Sequence, residues 1–344
     1  LSSALETWQN APVTLLREHY RCHPKIINFC NQRFYGGRLL IMTEDHGEPD
    51  VITAWRTVLG HHARGAFNPR EIETIRREVL PSLPCEPTEI GIISPYNEQV
   101  NALHRELGGG VDVATVHKFQ GREKEAIILS TVDDQITAFT DDPNLLNVAV
   151  SRAKRQFTLV TSSNEQPDSR NIADLLAYID YNGGKITESA IHSVFDLLYE
   201  PYAEARREFL KRHRRISEFD SENLTYALLE RVLEADPAFR HLGVLCHQPL
   251  RQLIRDWTLL NDEERRYASN GATHLDFLIY NRVSKRPVLA VETDGYQFHK
   301  QGTRQSERDR MKDRILDRYA LPLLRLSTTG TDEEAKIQTL LKRN

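Results

Sequence analysis

Three acidic side chains lie within or at the ends of two short apolar runs in the second half of the chain. Asp276 interrupts the run 274–279, and Glu292 and Asp294 end the run 288–294. A buried carboxylate is costly unless a basic group or a cation compensates it. Adjacent strands carrying these acids at one level would form a carboxylate cluster, whose oxygen ligands suit Mg²⁺ or Mn²⁺. We therefore expect a divalent-metal site, with Asp276 and Glu292 as ligands, that activates water for phosphodiester hydrolysis.

A competing interpretation of these acids is structural, because Asp276 and Glu292 would each be stabilised by a nearby arginine. Three acids together with a following basic helix favour the metal site instead. Lys312 lies at the edge of the apolar stripe of that helix, so its ammonium group is expected to reach the acids. Alternatively, Lys312 is a surface lysine paired with Asp309 or Asp313.

Residues 221–327 resemble the PD-(D/E)XK nuclease superfamily, in the branch related to very-short-patch repair endonucleases. They also resemble domains with a Glu-x-Asp-Gly-x-x-x-His signature, which occupies 292–299 in this chain. The resemblance implies a set of catalytic residues: Glu222, Asp276, Glu292, Asp294, His299 and Lys312. Within that set, Asp276 and Glu292 would bind the metal, and Glu222 would assist from the first helix of the domain.

The main departure from this nuclease pattern is Asp294, which stands where the superfamily usually has lysine. The resemblance implies that Lys312 supplies the missing positive charge from the following helix. Without that contribution, the domain would bind nucleic acid but would not cleave it.

Four short segments in the first half combine basic, hydroxyl and glycine residues near successive strand ends. They are 18–24 (EHYRCHP), 93–99 (ISPYNEQ), 114–123 (ATVHKFQGRE) and 147–154 (NVAVSRAK). Each alone is ordinary, because an arginine near a helix usually lies on a solvated surface. Their order along one α/β domain is informative, since ligands of such sheets bind at the carboxyl ends of the strands.

These segments resemble the later motifs of superfamily 1B helicases, the group that includes the nonsense-mediated-decay RNA helicase. The resemblance covers nearly all of residues 12–165. In that family, two RecA-like domains hold ATP and Mg²⁺ between them. The resemblance implies that Arg21 and Arg152 are arginine fingers, because a permanently charged planar fork stabilises charge on phosphate oxygens in the transition state.

The same resemblance assigns three residues to the nucleotide site and three to the nucleic-acid backbone: Gln120, Gly121 and Glu123, and then Ser94, Thr115 and His117. Glu123 would bind the nucleotide sugar or its hydroxyl network, and short hydroxyl side chains suit phosphate. Two positions depart from the common pattern. His117 stands where many relatives have aspartate, and Ser151 stands where they have threonine.

The front half of the ATP site is missing from this sequence. It contains no phosphate loop of the form G-x-x-x-x-G-K-[S/T], and no Asp-Glu pair on a strand precedes residue 12. The chain begins at Leu1, without methionine, inside a predicted helix. We therefore expect a fragment that cannot hydrolyse ATP alone, with an N-terminal RecA-like half supplied in cis or in trans.

The elements that carry these residues alternate between β-branched runs and helical stretches in the first half, which is typical of a doubly wound parallel sheet. The expected strands there are 90–94, 111–115, 126–131 and 157–161, and the expected helices are 97–107, 144–153 and 171–181. The second half is expected in the order α-β-β-β-α-β: 221–235, 244–248, 274–280, 287–292, 303–319 and 322–327.

This pattern predicts an α/β protein in three parts. A second RecA-like helicase domain occupies 1–165, and an amphipathic helical connector occupies 166–220. A small mixed α/β domain of the restriction-endonuclease type occupies 221–344.

Composition is that of a globular protein without a membrane span. The 344 residues are 40% hydrophobic and 27% charged, and no apolar run reaches the ~20 residues that cross a bilayer. We expect a cytoplasmic location, which four scattered cysteines without a C-x-x-C pair also fit. Net charge is −4, yet 206–215 contains six basic residues and one acid. That run is either a phosphate-binding face or a solvated helix surface.

The leading hypothesis is an ATP-dependent helicase–nuclease, in which translocation feeds single-stranded or duplex DNA to a Mg²⁺-dependent phosphodiesterase. One alternative is a nucleic-acid-binding and partner-docking module with an inactive nuclease fold, which Asp294 in place of lysine favours. Another alternative is an RNA motor, because some relatives of the motor domain prefer RNA.

Overall fold

The computed structural model describes residues 16–199, 202–294 and 304–343. The chain divides into two compact units, Leu1–Ala190 and Ile191–Asn344. Each unit has its own sheet and its own hydrophobic core. Among the helices in the described ranges, none has the length and apolar character that crossing a membrane requires.

The first unit is built around a parallel sheet. Its strands are β1 (Glu18–His19), β2 (Leu40–Ile41), β3 (Ile52–Thr57), β4 (Ile90–Ser94), β5 (Asp112–Thr115), β6 (Lys124–Ser130), β7 (Ala153–Ser162) and β8 (Ile186–Glu188). Its helices are α1 (Pro24–Phe34), α2 (Pro69–Thr74), α3 (Leu80–Ser82), α4 (Asn97–Leu107), α5 (Val116–Phe119), α6 (Pro143–Val150) and α7 (Asn171–Tyr181). Six strands pair in the order β5-β4-β6-β7-β3-β8, all parallel, and β1 pairs separately with β2.

The central strands of this sheet are buried on both faces, as in parallel sheets covered by helices. Every residue of β4 is buried. Gly91 in that strand lies so close to its neighbours that an added Cβ would be 2.5 Å from Cζ of Phe119 and 2.7 Å from Cδ1 of Ile127. The packing therefore requires glycine here, because a side chain would overpack the core.

The second unit is built around a mixed sheet of four strands. These are β9 (Leu242–Pro249), β10 (His274–Asn281), β11 (Pro287–Asp294) and β12 (Leu323–Ser327), paired in the order β12-β11-β10-β9. The β9–β10 and β10–β11 pairs are antiparallel, and β11 and β12 are parallel. The helices are α8 (Ala203–Lys211), α9 (Asp220–Ala235), α10 (Asp262–Ser269), α11 (Arg304–Arg318) and α12 (Glu333–Arg343).

Two apolar clusters cover the two faces of this second sheet. Phe277 and Val291, which are register partners, pack in the cluster that contains residues of α9 and α12. Leu278 and Ala290, the next register pair, pack in the cluster that contains residues of α11. The sheet therefore holds α9 and α11 on opposite faces, and these two helices carry Glu222 and Lys312.

The predicted α/β fold class is confirmed, and β4, α4 and α7 have the predicted bounds. The division into parts differs from the predicted one. Strand β8 pairs with β3, so residues up to 190 belong to the first unit. The predicted connector, 166–220, is not one helical segment, because it contains α7, β8, a 3₁₀ turn at Val194–Leu198 and α8 as separate elements. Phe195 in that turn is fully buried in the core of the second unit.

A buried carboxyl group, that of Glu71, connects α2 to the end of β6. Its oxygens accept hydrogen bonds from the hydroxyl groups of Ser130 and Thr131 and from the backbone N–H of Val132. Val132 has φ 74°, a costly conformation for a β-branched residue, and its bond to Glu71 holds it there. Burial raises the pKa of Glu71 to about 8, although these donors lower it.

The buried carboxyl group of Glu71 makes the stability of the first unit dependent on pH. Above pH 4.5, the unfolded chain loses the Glu71 proton that the folded chain retains up to pH about 8. Stability should therefore fall as pH rises through this window, by at most ~1.4 kcal/mol per pH unit from this group. Glu71→Gln should flatten that slope. Hydrogen exchange of amides in residues 124–130 measures it, and an equal slope in the variant would contradict the assignment.

Candidate functional site

Asp276 and Glu292 face one another across β10 and β11. The backbone N–H of Asp276 donates to Oε1 of Glu292 at 3.3 Å, and the N–H of Thr293 donates to Oδ2 of Asp276 at 2.9 Å. Glu292 is buried and Asp276 is half-buried. The two acids predicted as metal ligands are therefore adjacent, and each carboxylate interacts with the backbone of the neighbouring strand.

Lys312 of α11 is buried, and its Nζ lies 2.6 Å from Oε2 of Glu292. Met311 and Ile315 pack into the core on either side of it and fix the helix over the sheet. Burial and the charge of Asp276 raise the pKa of Glu292 to about 7, and Lys312 opposes this rise. The ammonium group lies at the acids, where the sequence predicted it, and not on the surface.

Asp294 has a different environment. Its Oδ1 lies 3.3 Å from Nη1 of Arg325 on β12, which also lies near Asp309 (3.6 Å) and, through Nη2, Asp313 (2.7 Å). Burial lowers the pKa of Arg325, but the three aspartates together raise it above its usual value. The structural pairing with arginine that was considered for Asp276 and Glu292 is thus found at Asp294.

These acids and Lys312 line one cleft of about 480 Å³, a size typical of ligand sites. Glu222 of α9 also lines it, as do His274 and Arg308. Oε2 of Glu222 is buried and has no hydrogen-bond partner among the described residues, and Nε2 of His247 is 3.8 Å away. A buried oxygen without a donor suits a cation or a bound water. The predicted site residue His299 lies outside the described residues.

A second group of chemical interest lies at one edge of the first unit. Arg21 follows β1, and Arg152 lies in the turn between α6 and β7. Nη1 of Arg21 is 3.3 Å from Oε2 of Glu123, and Nζ of Lys154 is 3.0 Å from Oε1 of the same carboxylate. The hydrogen bond from Lys154 is the largest influence that lowers the pKa of Glu123. Glu123 therefore connects two basic residues from separate segments.

The two predicted arginine fingers lie close together. Burial lowers the pKa of Arg152, and the charge of Arg21 lowers it further. Arg152 is held by hydrogen bonds from Nε to the carbonyl of Val148 and from Nη2 to the hydroxyl of Ser151, both 3.2 Å. Burial, Arg21 and Arg152 together lower the pKa of His19 to about 4. Arg21 and Arg152, with the neutral imidazole of His19 beside them, therefore form a basic patch that is available to an anion.

The other predicted contacts of the first unit lie on the adjacent strand ends. Ser94 and Thr115 are register partners at the ends of β4 and β5. Both side chains are buried, and the hydroxyl of Ser94 accepts a hydrogen bond from Tyr96 N at 3.4 Å. His117 is exposed. Among these three, His117 alone presents its side chain to solvent.

Gln120 and Gly121 form the exposed turn after α5. Gly121 has φ 84°, a conformation that favours glycine over other residues. The turn leads directly to Glu123. It therefore connects the strand end at Thr115 with the basic patch.

His23, Asp45 and Glu48 form another cluster with potential metal ligands. Nδ1 of His23 accepts a hydrogen bond from Lys25 N, so the proton of the neutral ring is on Nε2, which faces Glu48 at 3.2 Å. A metal at Nε2 would have to displace that proton, and Lys25 already neutralises Asp45 at 3.3 Å. The geometry therefore favours a hydrogen-bonded helix cap over a metal site.

Comparison with known proteins gives a different match for each of the two units. Residues 1–164 match the AAA domain family. An uncharacterized ATP-dependent helicase of Caenorhabditis elegans is 33% identical over 171 residues, 43% of this chain and 11% of that protein. The DNA replication ATP-dependent helicase/nuclease DNA2 of Gallus gallus is 33% identical over 179 residues, 46% of this chain and 17% of that protein. The first unit is a superfamily 1 helicase-like domain.

A further relative covers a similar fraction of this chain. The ATP-dependent helicase upf1 of Schizosaccharomyces pombe is 31% identical over 176 residues, 42% of this chain and 19% of that protein. The chain thus spans less than a fifth of the length of each of these three relatives. The solved C-terminal domain of a possible DNA helicase from Lactobacillus plantarum covers 49% of this chain and 98% of that chain, at 16% identity and TM-score 0.31. Residues 219–343 match a family described as a protein of unknown function, DUF2726.

Sequence reasoning missed two residues of these sites. His19 stands in the segment 18–24 but was given no role. A histidine two residues from a proposed arginine finger indicates that its imidazole lies near the same site. Arg325 interrupts the apolar strand β12, and a charged residue at such a position indicates a buried partner. Both signals were available, but only the fold identifies the partners.

The pKa of His19 reports how close Arg21 and Arg152 lie to it. Its pKa should be about 4, well below 6.5, because it is partly buried beside two guanidinium groups. Arg152→Ala should raise that pKa, since one of the charges disappears. Arg155→Ala is the matched control, because Arg155 is exposed and paired with Glu125. NMR titration of the imidazole provides the measurement, and a wild-type pKa near 6.5 would contradict the arrangement.

Proposed function

We propose that this chain is the rear part of an ATP-dependent helicase–nuclease acting on DNA, with the second unit as a metal-dependent phosphodiesterase. The observation that carries the nuclease assignment is the contact of Lys312 with Glu292 at 2.6 Å, beside Asp276. A nuclease of the PD-(D/E)XK type uses two acids and one lysine around one phosphate. Here the lysine comes from α11, which compensates for the acid at position 294.

The donor set fits Mg²⁺ or Mn²⁺. Asp276 and Glu292 offer carboxylate oxygens at one cleft, and the buried Oε2 of Glu222 has no hydrogen-bond partner among the described residues. Hard divalent cations prefer such oxygen ligands. When bound, the ion would supply a lowered pKa for its water and positive charge beside the phosphate. Asp276 and Glu292 would hold it, with Glu222 assisting.

The other side chains of the cleft have separate roles in this proposal. The ammonium group of Lys312 stabilises the negative charge that develops on the phosphate oxygens. Arg308, which also lines the cleft, binds the phosphate before cleavage. Asp294 is neutralised by Arg325 and holds the end of β11 against β12, so it does not add a further negative charge to the reaction site.

Cleavage of supercoiled plasmid in Mn²⁺ tests the nuclease assignment. Asp276→Asn and Glu292→Gln should each lower the nicking rate at least ~100-fold, because each removes a metal ligand. Lys312→Met should also lower it, since the charge facing the phosphate is lost. Asp317→Asn is the control, because Asp317 is an exposed aspartate on the same helix. Calorimetry of Mn²⁺ binding gives a second readout, in which Asp276→Asn should weaken binding.

Two results would contradict this assignment. Equal nicking by wild type and the Asp276 and Glu292 variants would remove the site from catalysis. Absence of both nicking and Mn²⁺ binding in the wild type would favour the alternative, a nucleic-acid-binding or docking module with an inactive nuclease fold. The feature that favours this alternative is the aspartate at position 294, where the superfamily usually has lysine.

For the first unit, we propose the rear half of an ATP site that a first RecA-like domain completes, in the same protein or in a partner. Arg21 and Arg152 act as its fingers. Nε of Arg21 is buried without a hydrogen-bond acceptor among the described residues, so it has a donor available for phosphate. Glu123 holds Arg21 until the nucleotide arrives, and Gln120 and Gly121 link the nucleotide to the strand-binding loop. DNA is the proposed track, because several relatives are named as DNA helicases.

ATP turnover in the assembly with the first RecA-like domain tests the fingers. Arg21→Ala and Arg152→Ala should each reduce kcat by ~10³-fold or more, as expected for groups that stabilise transition-state charge. Arg155→Ala should leave turnover within about twofold of wild type, since its side chain is 86% exposed. Wild-type turnover in either finger variant would overturn the proposal.

A further inference from the structure

A basic groove of about 420 Å³ lies beside the cleft in the second unit. It is lined by five basic residues and one acid: Arg206, Arg207, Lys211, Arg214, Arg215 and Asp220. The acid is already paired with Arg206 at 3.2 Å, and Lys211 is paired with Glu208 at 2.7 Å. Neither Arg207 nor Arg214 forms an ion pair or a side-chain hydrogen bond with any residue in the described ranges. Like charges crowded in a concave surface attract an anion.

The groove is fixed in shape by hydrogen bonds between α8, α9 and the loop that joins them. The side chain of Asn223, which is buried, accepts from the N–H groups of Ile216 and Ser217 and donates to the carbonyls of Ser217 and Phe219, all within 3.1 Å. His247 of β9 contacts the carbonyl of Ile216 at 3.3 Å. The basic side chains therefore surround a built depression and do not simply cover a solvated helix.

The groove and the cleft meet at the first turn of α9. Asn223 lines the groove, and the preceding residue, Glu222, lines the cleft. Nε2 of His247 lies between them, 3.3 Å from the Ile216 carbonyl and 3.8 Å from Oε2 of Glu222. His247 has φ 49°, a strained conformation for this residue, and strain of this kind concentrates at functional sites. The groove and the cleft are therefore adjacent at this point of α9.

We infer that this groove binds the phosphate backbone of the polynucleotide that enters the cleft, an inference that rests on the proposed nuclease function. Arg207 and Lys211 are four residues apart on α8, an advance of ~6 Å along the helix. That distance is close to the rise of about two nucleotides at ~3.4 Å each. Arg214 continues the row beyond the helix end. The spacing of Arg207 and Lys211 therefore matches about two nucleotides of a strand, and Arg214 adds a third cation.

The test is binding of a labelled single-stranded oligonucleotide to the full chain in EDTA, where no metal-dependent cleavage occurs. The double variant Arg207→Glu/Arg214→Glu should bind at least ~10-fold more weakly, and its log–log salt slope should be smaller by about 1.4, since two phosphate contacts are lost. Lys285→Glu/Arg286→Glu is the matched control. It changes charge equally in the exposed β10–β11 turn, at the other end of β11.

A position-specific readout separates this groove from binding by the first unit. Ultraviolet crosslinking of a bromouridine-substituted oligonucleotide should attach it to peptides within 203–223 in wild type and not in the groove variant. Equal affinity and equal crosslinking in both would overturn the inference. Displacement of the oligonucleotide by polyglutamate at equal charge would do so as well, and would make the groove a site for acidic protein.

These outcomes are distinguishable from failure of the nuclease proposal. Crosslinks within 203–223 without Mn²⁺-dependent nicking would retain the groove and remove the nuclease. Nicking that depends on Asp276 but is unchanged in the groove variant would retain the nuclease and remove the groove.

Discussion

The contact between Lys312 and Glu292 is the constraint on which the second unit depends. Two buried groups of opposite charge at 2.6 Å are stable only if both are positioned, because desolvation costs several kcal/mol per ion. Positioning requires α11 to lie against the sheet through Met311 and Ile315. It also requires β11 to present Glu292 toward that helix. Removal of either partner would leave the other charge buried and uncompensated.

This ion pair also helps to stabilise the many carboxylate side chains that line the cleft. The cleft is lined by five carboxylates, which would repel one another without compensation: Glu222, Asp276, Glu292, Asp294 and Asp309. Lys312 compensates the inner pair, and Arg325 compensates Asp294. Oε2 of Glu222 accepts no hydrogen bond from the described residues, so an added cation would contribute there. The arrangement is a site whose charge is nearly, but not fully, balanced by the chain itself.

How far the sequence predicts this structure depends on how local each signal is. Strand β4 and helices α4 and α7 were predicted at their observed bounds, because their apolar periodicity and end signals are local. Helical spacing placed Lys312 at the edge of the apolar stripe, within possible reach of the acids, but the choice between that contact and a surface pairing with Asp309 or Asp313 required the fold. In contrast, the edge strand β8 and its neighbour β3 were missed, since both depend on pairing with residues that are distant in sequence. The predicted long connector was wrong for the same reason: Phe195 is committed to the second core, which no local pattern records.

The partners of charged residues were the least predictable part of the site. Nothing near Asp294 in sequence indicates Arg325, which is 31 residues away and on a parallel strand. Likewise, His19 and Arg152 interact through the fold and not through sequence proximity. Residue types along one strand can suggest that a charge needs compensation, but only the sheet order identifies what compensates it.

The most direct measurement of the central claim is anomalous scattering from crystals of this chain soaked in Mn²⁺. If the cleft is a divalent-metal site, a peak should appear between Asp276 and Glu292, within about 2.2 Å of an oxygen from each. The ammonium group of Lys312 should then lie farther from Oε2 of Glu292 than the present 2.6 Å. A cleft without a peak, with Lys312 still bound to Glu292, would contradict the account.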